Sequence, residues 1–169
     1  MGEGNAAGYG GRRNVTNTLA NSFWYLNALG SAAQQGIRRF LRQTLLGGGY
    51  EIVDQNTFEP NPDYWVALLW SRLMGTTALN VTVDATVSGA RAAEAEQQLR
   101  CYAMCAKGEY EGAVALALIN FDQSRTITAN FNTEKLQQEQ KQRAKEPHQE
   151  QVLVWQLKSA DPQEPLQSR

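Results

Sequence analysis

The sequence has little of the chemistry on which many hydrolases and metalloproteins depend. Its 169 residues include one histidine, His148, and two cysteines, Cys101 and Cys105. Histidine-based metal sites and catalysis by serine–histidine or cysteine–histidine pairs are therefore not expected. Four residues apart on a predicted strand, the cysteines would face the same side without being cross-strand partners. They are either two free thiols or include one thiol whose partner lies outside this chain.

Long apolar runs and a strong net charge are also lacking. No run approaches the roughly 18 to 20 apolar residues that span a bilayer, and no charged segment followed by an apolar one marks a signal peptide. The formal net charge of −1 provides no general attraction to nucleic acid or to a membrane surface. A hydrophobic content of 42% is still enough for a real core. We expect a folded chain with no transmembrane segment and no nucleic-acid partner.

Glycine, by contrast, is abundant where the chain opens. The stretch MGEGNAAGYGGRR places Glu3 between Gly2 and Gly4, and further glycines surround Tyr9. Backbone N–H groups in such loops can bind anions, but the lysine and serine spacing of a phosphate-binding loop is absent and no strand precedes the glycines. Two interpretations remain, a flexible leader or the end of a barrel strand that begins upstream.

Helical periodicity occurs twice in the first half of the chain. Apolar residues recur at helical spacing over residues 16–30, where Asn14 or Thr16 is a candidate cap and Gly30 a candidate end. A second helix is predicted over residues 62–75, because a proline at its first position follows an asparagine and precedes an aspartate. Between the helices, IRRFLRQTLL at residues 37–46 predicts a short strand that runs into three glycines.

The pattern changes after residue 75, which predicts a domain boundary near residues 76–80. Short strands are expected in ALNVTVDATV, LRCYAMCA, AVALALINF and SRTITANFN, with a turn at residues 107–112. Residues 133–151 are rich in glutamine, glutamate and lysine and predict a solvated insertion. VLVWQL at residues 152–157 predicts a further strand. The first half thus has a β/α pattern and the second half an all-β pattern.

Several long motifs occur together and in order. GEGNAAGYGG, NSFWYLNALG, RQTLLGGGYEIVDQNTFEPNPDYWVALLWSRLMG and LRCYAMCAKG with VALALINF resemble the heparanase-like members of glycoside hydrolase family 79, in particular the plant-type branch. The similarity covers most of residues 2–132 and returns weakly in VLVWQLKSADPQEPLQSR. It implies an α/β plus β fold, with the C-terminal part of a (β/α)8 TIM barrel in residues 1–75, from the end of strand seven to helix eight. Residues 76–169 would form an incomplete β-sandwich.

The resemblance also implies a catalytic residue. The family nucleophile is the glutamate of a Gly-Glu pair at the end of the seventh barrel strand, which matches Glu3 after Gly2. Retaining glycosidases set this carboxylate about 5 to 5.5 Å from a second carboxyl that serves as acid and base. In the family the second group lies on the fourth strand, which has no counterpart in this sequence. We therefore expect no turnover by this chain alone, and no other acid is assigned to the role.

Substrate-binding residues follow from the same resemblance. Family members hold the carboxylate of a glucuronic acid partly through backbone N–H groups, which match Gly10 and Gly11 after Tyr9. Tyr50 matches a tyrosine that reaches the same carboxylate, and Gln43 matches a glutamine that lines the cleft. The loop from Glu3 to Tyr9 is one residue longer than in the family, so the assignment of the two glycines is less direct than that of Glu3.

Other candidates have simpler structural roles. The arginines are expected on the solvated outer surface rather than in a cleft, and three tryptophans on helix faces are expected in the core. These residues are Arg12, Arg13, Arg38, Arg39, Arg42, Trp24, Trp65 and Trp70. The resemblance implies that Cys105 pairs with a cysteine beyond Arg169, which leaves it unpaired here.

Partners and location also follow from the resemblance. It implies an acidic glycan or proteoglycan as substrate, the N-terminal barrel portion as a partner, and neither a cofactor nor a metal. The family is secreted, lysosomal or membrane-associated, so the sequons at Asn14 and Asn80 are candidate glycosylation sites. The alternative to an enzyme is a non-catalytic β-sandwich module that binds a glycan or a partner barrel, which would leave Glu3 without a role.

Overall fold

The computed structural model describes residues 4–82, 98–122 and 152–158. Residues 1–123 and 158–169 belong to one compact unit, and residues 124–157 to a second. The described part of the first unit contains two helices, a short 3₁₀ turn and three strands. This combination of helices with an antiparallel sheet agrees with the mixed pattern of the sequence.

The first helix, α1, spans Leu19–Gln34 and differs from its prediction at both ends. Thr18 takes the N-cap position, with extended φ and ψ of −108° and 171°. At the other end, the Ile37 N–H donates to the Ala32 carbonyl oxygen and the Gly36 N–H to that of Ala33. These two bonds, together with a φ of +74° at Gly36, form the Schellman arrangement that ends a helix. The predictions of Asn14 or Thr16 as cap and of Gly30 as the end were therefore wrong.

Gly30 lies inside α1 because it contacts an aromatic ring of the sheet. A Cβ atom at this position would overlap three ring carbons of Tyr102. The Tyr102 hydroxyl lies 2.7 Å from Asn27 Oδ1 and 3.0 Å from Ser31 Oγ. The ring thus packs directly on Gly30 while its hydroxyl group bonds to the helix, and this contact requires the smallest residue at position 30.

The second helix, α2, spans Pro62–Leu73, with Asn61 at its N-cap and Pro62 at its first position as predicted. It ends two residues before the expected boundary, because the chain turns at Met74 directly into a strand. Strand β1 spans Met74–Leu79, so it begins earlier than the alternating pattern suggested.

Strands β2, Leu99–Ala106, and β3, Val114–Asn120, form an antiparallel hairpin and confirm two of the predicted strands. The 3₁₀ turn Gly108–Tyr110 connects them where a turn was expected. β2 lies between β1 and β3 in the sheet. One face of this sheet packs on α1, with a buried cluster of Met74, Tyr102, Met104, Ala117 and Ile119. Since both hairpin strands contribute alternate residues to this cluster, the sheet register places the core directly beneath the helix.

The predicted strand over residues 37–46 is not formed. The segment carries a single bridge residue, Leu41, whose carbonyl oxygen accepts from the Gly4 N–H at 2.8 Å. A strand requires a continuous partner, and within the described residues this segment has none. The segment is therefore an extended stretch and not a strand. It contacts the opening residues through the hydrogen bond between Gly4 and Leu41.

The prediction of a strand over residues 152–157 was also wrong. These residues belong to the second unit and contain neither helix nor strand. Several predictions lie outside the described residues: Glu3, the second half of ALNVTVDATV (residues 83–87), the strand at SRTITANFN, the insertion at residues 133–151 and His148.

We predict that Gly30→Ala lowers the free energy of unfolding. Adding a methyl group to a packed contact costs about 1–3 kcal/mol, which outweighs the gain of at most about 1 kcal/mol from alanine's helix propensity. Urea unfolding followed by far-UV circular dichroism measures the change. Gly8→Ala is the matched control, because no atom lies within 4 Å of a Cβ at Gly8. Equal effects of the two substitutions would contradict the role given to Gly30.

Candidate functional site

Two glycine-rich segments that are distant in the sequence meet at one place in the structure. We call residues 4–13 the opening loop and residues 47–49 the triple-glycine loop. The Gly49 N–H donates to the Gly10 carbonyl oxygen at 2.5 Å. A Cβ atom at Gly49 would lie 2.9 Å from the backbone nitrogens of both Arg12 and Arg13. Only glycine permits this approach, so the two backbones dock without side chains between them.

Thr16 joins the two loops through its buried hydroxyl group. Its Oγ1 accepts a hydrogen bond from the Arg12 N–H at 2.8 Å and donates to the Gly49 carbonyl oxygen. The residue is 5% exposed. A hydroxyl group both accepts and donates, which allows this one side chain to satisfy a backbone group on each loop. Thr16 therefore does not cap α1 but links the opening loop to the triple-glycine loop.

Glu51 binds the triple-glycine loop through its buried carboxylate. It was not among the residues predicted from the sequence. Its side chain is only 2% exposed, and Oε2 accepts from the Gly47 N–H at 2.6 Å. Oε1 lies 3.5 Å from Nη2 of Arg13 in the opening loop, and Arg13 Nη1 lies 3.8 Å from Asp54. The buried carboxylate therefore links both loops by charge and by hydrogen bonding. The available sequence signal was its position two residues after a triple glycine, which is weak.

Tyr50 and Gln43, which were both predicted to contact the substrate, lie next to each other. The Tyr50 hydroxyl donates to Gln43 Oε1 at 3.0 Å. The Tyr50 residue is 5% exposed and Gln43 is exposed. A Cβ at Gly11 would lie 2.5 Å from the ring carbon Cδ1 of Tyr50, so the ring packs directly on the opening loop. Tyr50, Gln43 and Gly11 thus form one surface.

The remaining predicted residues of the opening loop take different positions. Tyr9 has a φ of +53° and a fully exposed side chain, so the described structure does not bring it to Tyr50. The Gly11 N–H donates to the Gly8 carbonyl oxygen at 3.2 Å. The Gly10 carbonyl oxygen accepts from the triple-glycine loop, while the Gly10 N–H has no acceptor in the part of the chain that the structure describes.

Glu3 lies outside the described residues, but its neighbour Gly4 is described. The Gly4 N–H donates to Leu41, and a Cβ on Gly4 would lie 2.4 Å from Phe40, at the tip of its ring. The start of the opening loop is therefore held against the extended segment 37–46.

Arg42 and Asp63 form a buried ion pair behind Tyr50. Arg42 Nη2 lies 2.6 Å from Asp63 Oδ2, and each side chain is 3% exposed. The Asp63 carboxylate also accepts from Asn21 at 2.6 Å and from Ser22 at 3.1 Å, both in α1. The expectation of a surface role for Arg42 was wrong, because a short stretch of sequence contains no information about a carboxylate 21 residues away.

Burial raises the pKa of Asp63, and the hydrogen bond and charge of Arg42 oppose that shift. The hydrogen bonds from Ser22 and Asn21 act in the same direction as Arg42. Since burial dominates, the folded chain holds the Asp63 proton more tightly than the unfolded chain does.

The other predicted positions are on or near the surface. Arg12, Arg13, Arg38 and Arg39 are exposed, as expected, and so are the sequon residues Asn14 and Asn80. Trp70 packs against the core, but Trp65 is 44% exposed, which contradicts its core assignment. Trp24 is partly buried near Arg42. Both cysteines are free thiols, and burial raises the pKa of Cys101.

Comparison with curated proteins reveals clear relatives. Heparanase-like protein 1 of Arabidopsis thaliana is 42% identical over 132 residues, which are 78% of this chain and 22% of that protein. This chain is related to the heparanase-like proteins. Baicalin-beta-D-glucuronidase of Scutellaria baicalensis is 35% identical over 80% of the chain and 23% of its own length. Human inactive heparanase-2 is 38% identical over 69% of the chain and 20% of its own length.

The chain thus spans between about a fifth and a quarter of these heparanase-like relatives. No family profile matches it. Within residues 4–82, 98–122 and 152–158, no group of three metal-ligating side chains occurs. The same residues contain no helix that is long and apolar enough to cross a membrane.

We predict that Asp63 makes the chain less stable as the pH rises. Because burial raises its folded pKa above 3.8, its contribution to stability is complete below pH 3.8 and is lost as the pH rises through the folded pKa. The difference in unfolding free energy between the wild type and Asp63→Asn should fall as the pH is raised from below 3.8 toward neutrality. Urea unfolding across this range measures it.

Asp54→Asn is a control of opposite sign. The N–H groups of Asn56 and Thr57 lower the pKa of Asp54 below 3.8, so its contribution is present above pH 3.8 and is lost on acidification. The difference in unfolding free energy between the wild type and Asp54→Asn should therefore rise with pH. If the difference in unfolding free energy between the wild type and Asp63→Asn also rose with pH, the prediction would be wrong. The attraction of Arg42 would then outweigh burial in setting the pKa of Asp63.

Proposed function

We propose that this chain supplies the nucleophile and part of the glucuronate-binding surface of a retaining glycoside hydrolase of the heparanase-like family. The reaction is hydrolysis of glycosidic bonds in glycans that contain glucuronic acid. The observation that carries the proposal is the hydrogen-bonded pair of Tyr50 and Gln43 beside the two docked glycine loops. It lies in a chain whose relatives include a protein named a β-D-glucuronidase.

The chemistry of this surface suits a carboxylate. In the described structure Tyr50 donates its hydroxyl proton to Gln43 Oε1. A rotation of the Gln43 amide would present Nε2 to the phenol oxygen and free the hydroxyl proton for a ligand, since the amide has both a donor and an acceptor end. We propose that the Gly10 N–H, to which the family resemblance gives a role in binding the same carboxylate, adds a backbone donor. A hexuronic acid carboxylate would then accept hydrogen bonds from two neutral donors. The only charge added to the site would be that of the carboxylate itself.

Glu3 is proposed as the attacking carboxylate. Support comes from the motif match and from its described neighbours, because Gly4 is fixed by Leu41 and Asn5 by Arg42. Hydrolysis also requires a second carboxyl group about 5 to 5.5 Å from the first. Glu51 is not proposed for this role, since its oxygens are engaged by Gly47 and Arg13. We expect the 169-residue chain to show no turnover by itself.

The finer architecture belongs to the same proposal. We infer that residues 1–75 are the final part of a (β/α)8 barrel and that the sheet belongs to a β-sandwich. The partner would be the N-terminal barrel portion, and an acidic glycan or proteoglycan the substrate. A secreted, lysosomal or membrane-associated location is consistent with the exposed Asn14 and Asn80 side chains as glycan acceptors.

A non-catalytic binding module is the second candidate. It is favoured by the similarity to human inactive heparanase-2, whose name describes a protein of this kind without activity. The two functions differ in what they require of the opening stretch. Binding of a glycan fragment that survives both Glu3→Ala and removal of residues 1–60 would favour the module.

We predict that D-glucuronate binds this chain more tightly than D-glucose, because glucose lacks the carboxylate that Tyr50 would contact. Tyr50→Phe removes that donor and should weaken glucuronate binding by about tenfold or more, the cost of losing one hydrogen bond to a charged group. Titration followed by amide chemical shifts measures both affinities.

The control for this measurement is Tyr64→Phe. Tyr64 lies in α2 and packs edge-on against Trp65, 5.3 Å between ring centroids. Its substitution should leave glucuronate affinity unchanged. Equal binding of glucose and glucuronate, or no effect of Tyr50→Phe, would exclude the proposed carboxylate site.

We also predict that Glu3 is labelled by 2-deoxy-2-fluoro-β-D-glucuronyl fluoride. Fluoride leaves without being protonated, so this reagent needs the nucleophile but not the second carboxyl group. Attack by the Glu3 carboxylate would form a carbon–oxygen bond at the anomeric carbon and release fluoride. Mass spectrometry of peptides should find the adduct on Glu3 and none in Glu3→Gln. An adduct on Glu51 instead would refute the assignment.

A further inference from the structure

The Arg42 guanidinium group contacts several separate segments of the candidate site. Nη1 donates to Asn5 Oδ1 in the opening loop at 2.7 Å and to the Gln43 carbonyl oxygen. Nη2 donates to the Tyr50 carbonyl oxygen at 2.9 Å and to Asp63 at 2.6 Å. One buried side chain thus joins the opening loop, the backbone carbonyl groups of Gln43 and Tyr50, and the start of α2.

The same group also lies against the Tyr50 ring. Its central carbon is 5.5 Å from the ring centroid of Tyr50, 5.4 Å from that of Tyr25 and 5.7 Å from that of Trp24. Cations at such distances are attracted to aromatic faces. The Tyr50 ring is therefore confined between Arg42 and the close backbone of Gly11, which fixes the direction of its hydroxyl group toward Gln43.

This arrangement is poorly explained by stability alone. A buried ion pair repays its desolvation only when its geometry is excellent and its other polar atoms are satisfied. Nε of Arg42 is buried and has no hydrogen-bond partner among the residues that the structure describes. An apolar pair of similar volume would avoid that cost, but it could not hold Asn5 and the carbonyl oxygens of residues 43 and 50 at once.

We propose that Arg42, anchored by Asp63, is a positioning residue that sets the opening loop and Tyr50 relative to each other for ligand binding. This inference rests on the function proposed above. Lysine could not replace arginine, because its three donors radiate from one nitrogen, whereas the planar guanidinium presents its donors as a wide fork. The role therefore depends on the shape of the cation and not only on its charge.

Amide hydrogen exchange of the ligand-free chain tests the positioning directly. The Gly4 and Gly49 N–H groups report on the site, since they bond to Leu41 and Gly10, and Ala106 reports on the sheet through its bond to Ala113. Arg42→Lys should raise exchange at Gly4 and Gly49 by about tenfold or more and leave Ala106 unchanged. It should weaken D-glucuronate binding by a similar factor. Arg39→Lys, at an exposed position of the same segment, should change none of these.

A second variant covers the case in which Arg42→Lys does not fold. Arg42→Met combined with Asp63→Asn removes both charges and leaves an acceptor for Ser22 and Asn21, so the sheet should persist while the loops lose protection. Unchanged exchange at Gly4 and Gly49, or an equal rise at Ala106, would overturn the proposal. So would increased exchange with unchanged glucuronate affinity. If the wild type binds no glucuronate, the proposed function fails, and the exchange data still decide whether Arg42 orders the loops.

Discussion

The candidate site depends on the buried contact between Arg42 and Asp63. Asp63 opens α2 and receives hydrogen bonds from Asn21 and Ser22 in α1, so the two helices are joined at this carboxylate. Arg42 extends the network to the opening loop and to Tyr50. Because a buried charge without its partner is strongly unfavourable, these segments must take up their positions together.

A second constraint is the direct approach of two glycine backbones. Side chains between the opening loop and the triple-glycine loop would separate Gly10 from Gly49, and Thr16 and Glu51 bind the loops from either side. The close approach of the two backbones and the buried hydrogen bonds thus fix the same segments, the opening loop and the triple-glycine loop. The result is a surface in which the buried Tyr50 ring has little freedom, and the proposed recognition of a carboxylate would benefit from that order.

Helix α1 connects this surface to the hydrophobic core. Its first turn holds Asp63, and eight residues later Gly30 packs on Tyr102 of the sheet. The helix is therefore fixed at one end by polar contacts and along its length by the cluster around Ile119. A change in the packing beneath Gly30 would move the residues that orient Asp63. In this chain the core and the candidate site share one rigid element.

The sequence alone determined the helix beginning at Pro62 and the hairpin of β2 and β3, because proline position and apolar alternation are local signals. It misassigned residues 37–46, since a strand is defined by a partner that lies elsewhere. Only the tertiary structure decided that Gly30 continues a helix and that Arg42 is buried. Both depend on contacts with residues distant in the chain, Tyr102 and Asp63, and no local pattern contains the desolvation and steric terms that such contacts impose.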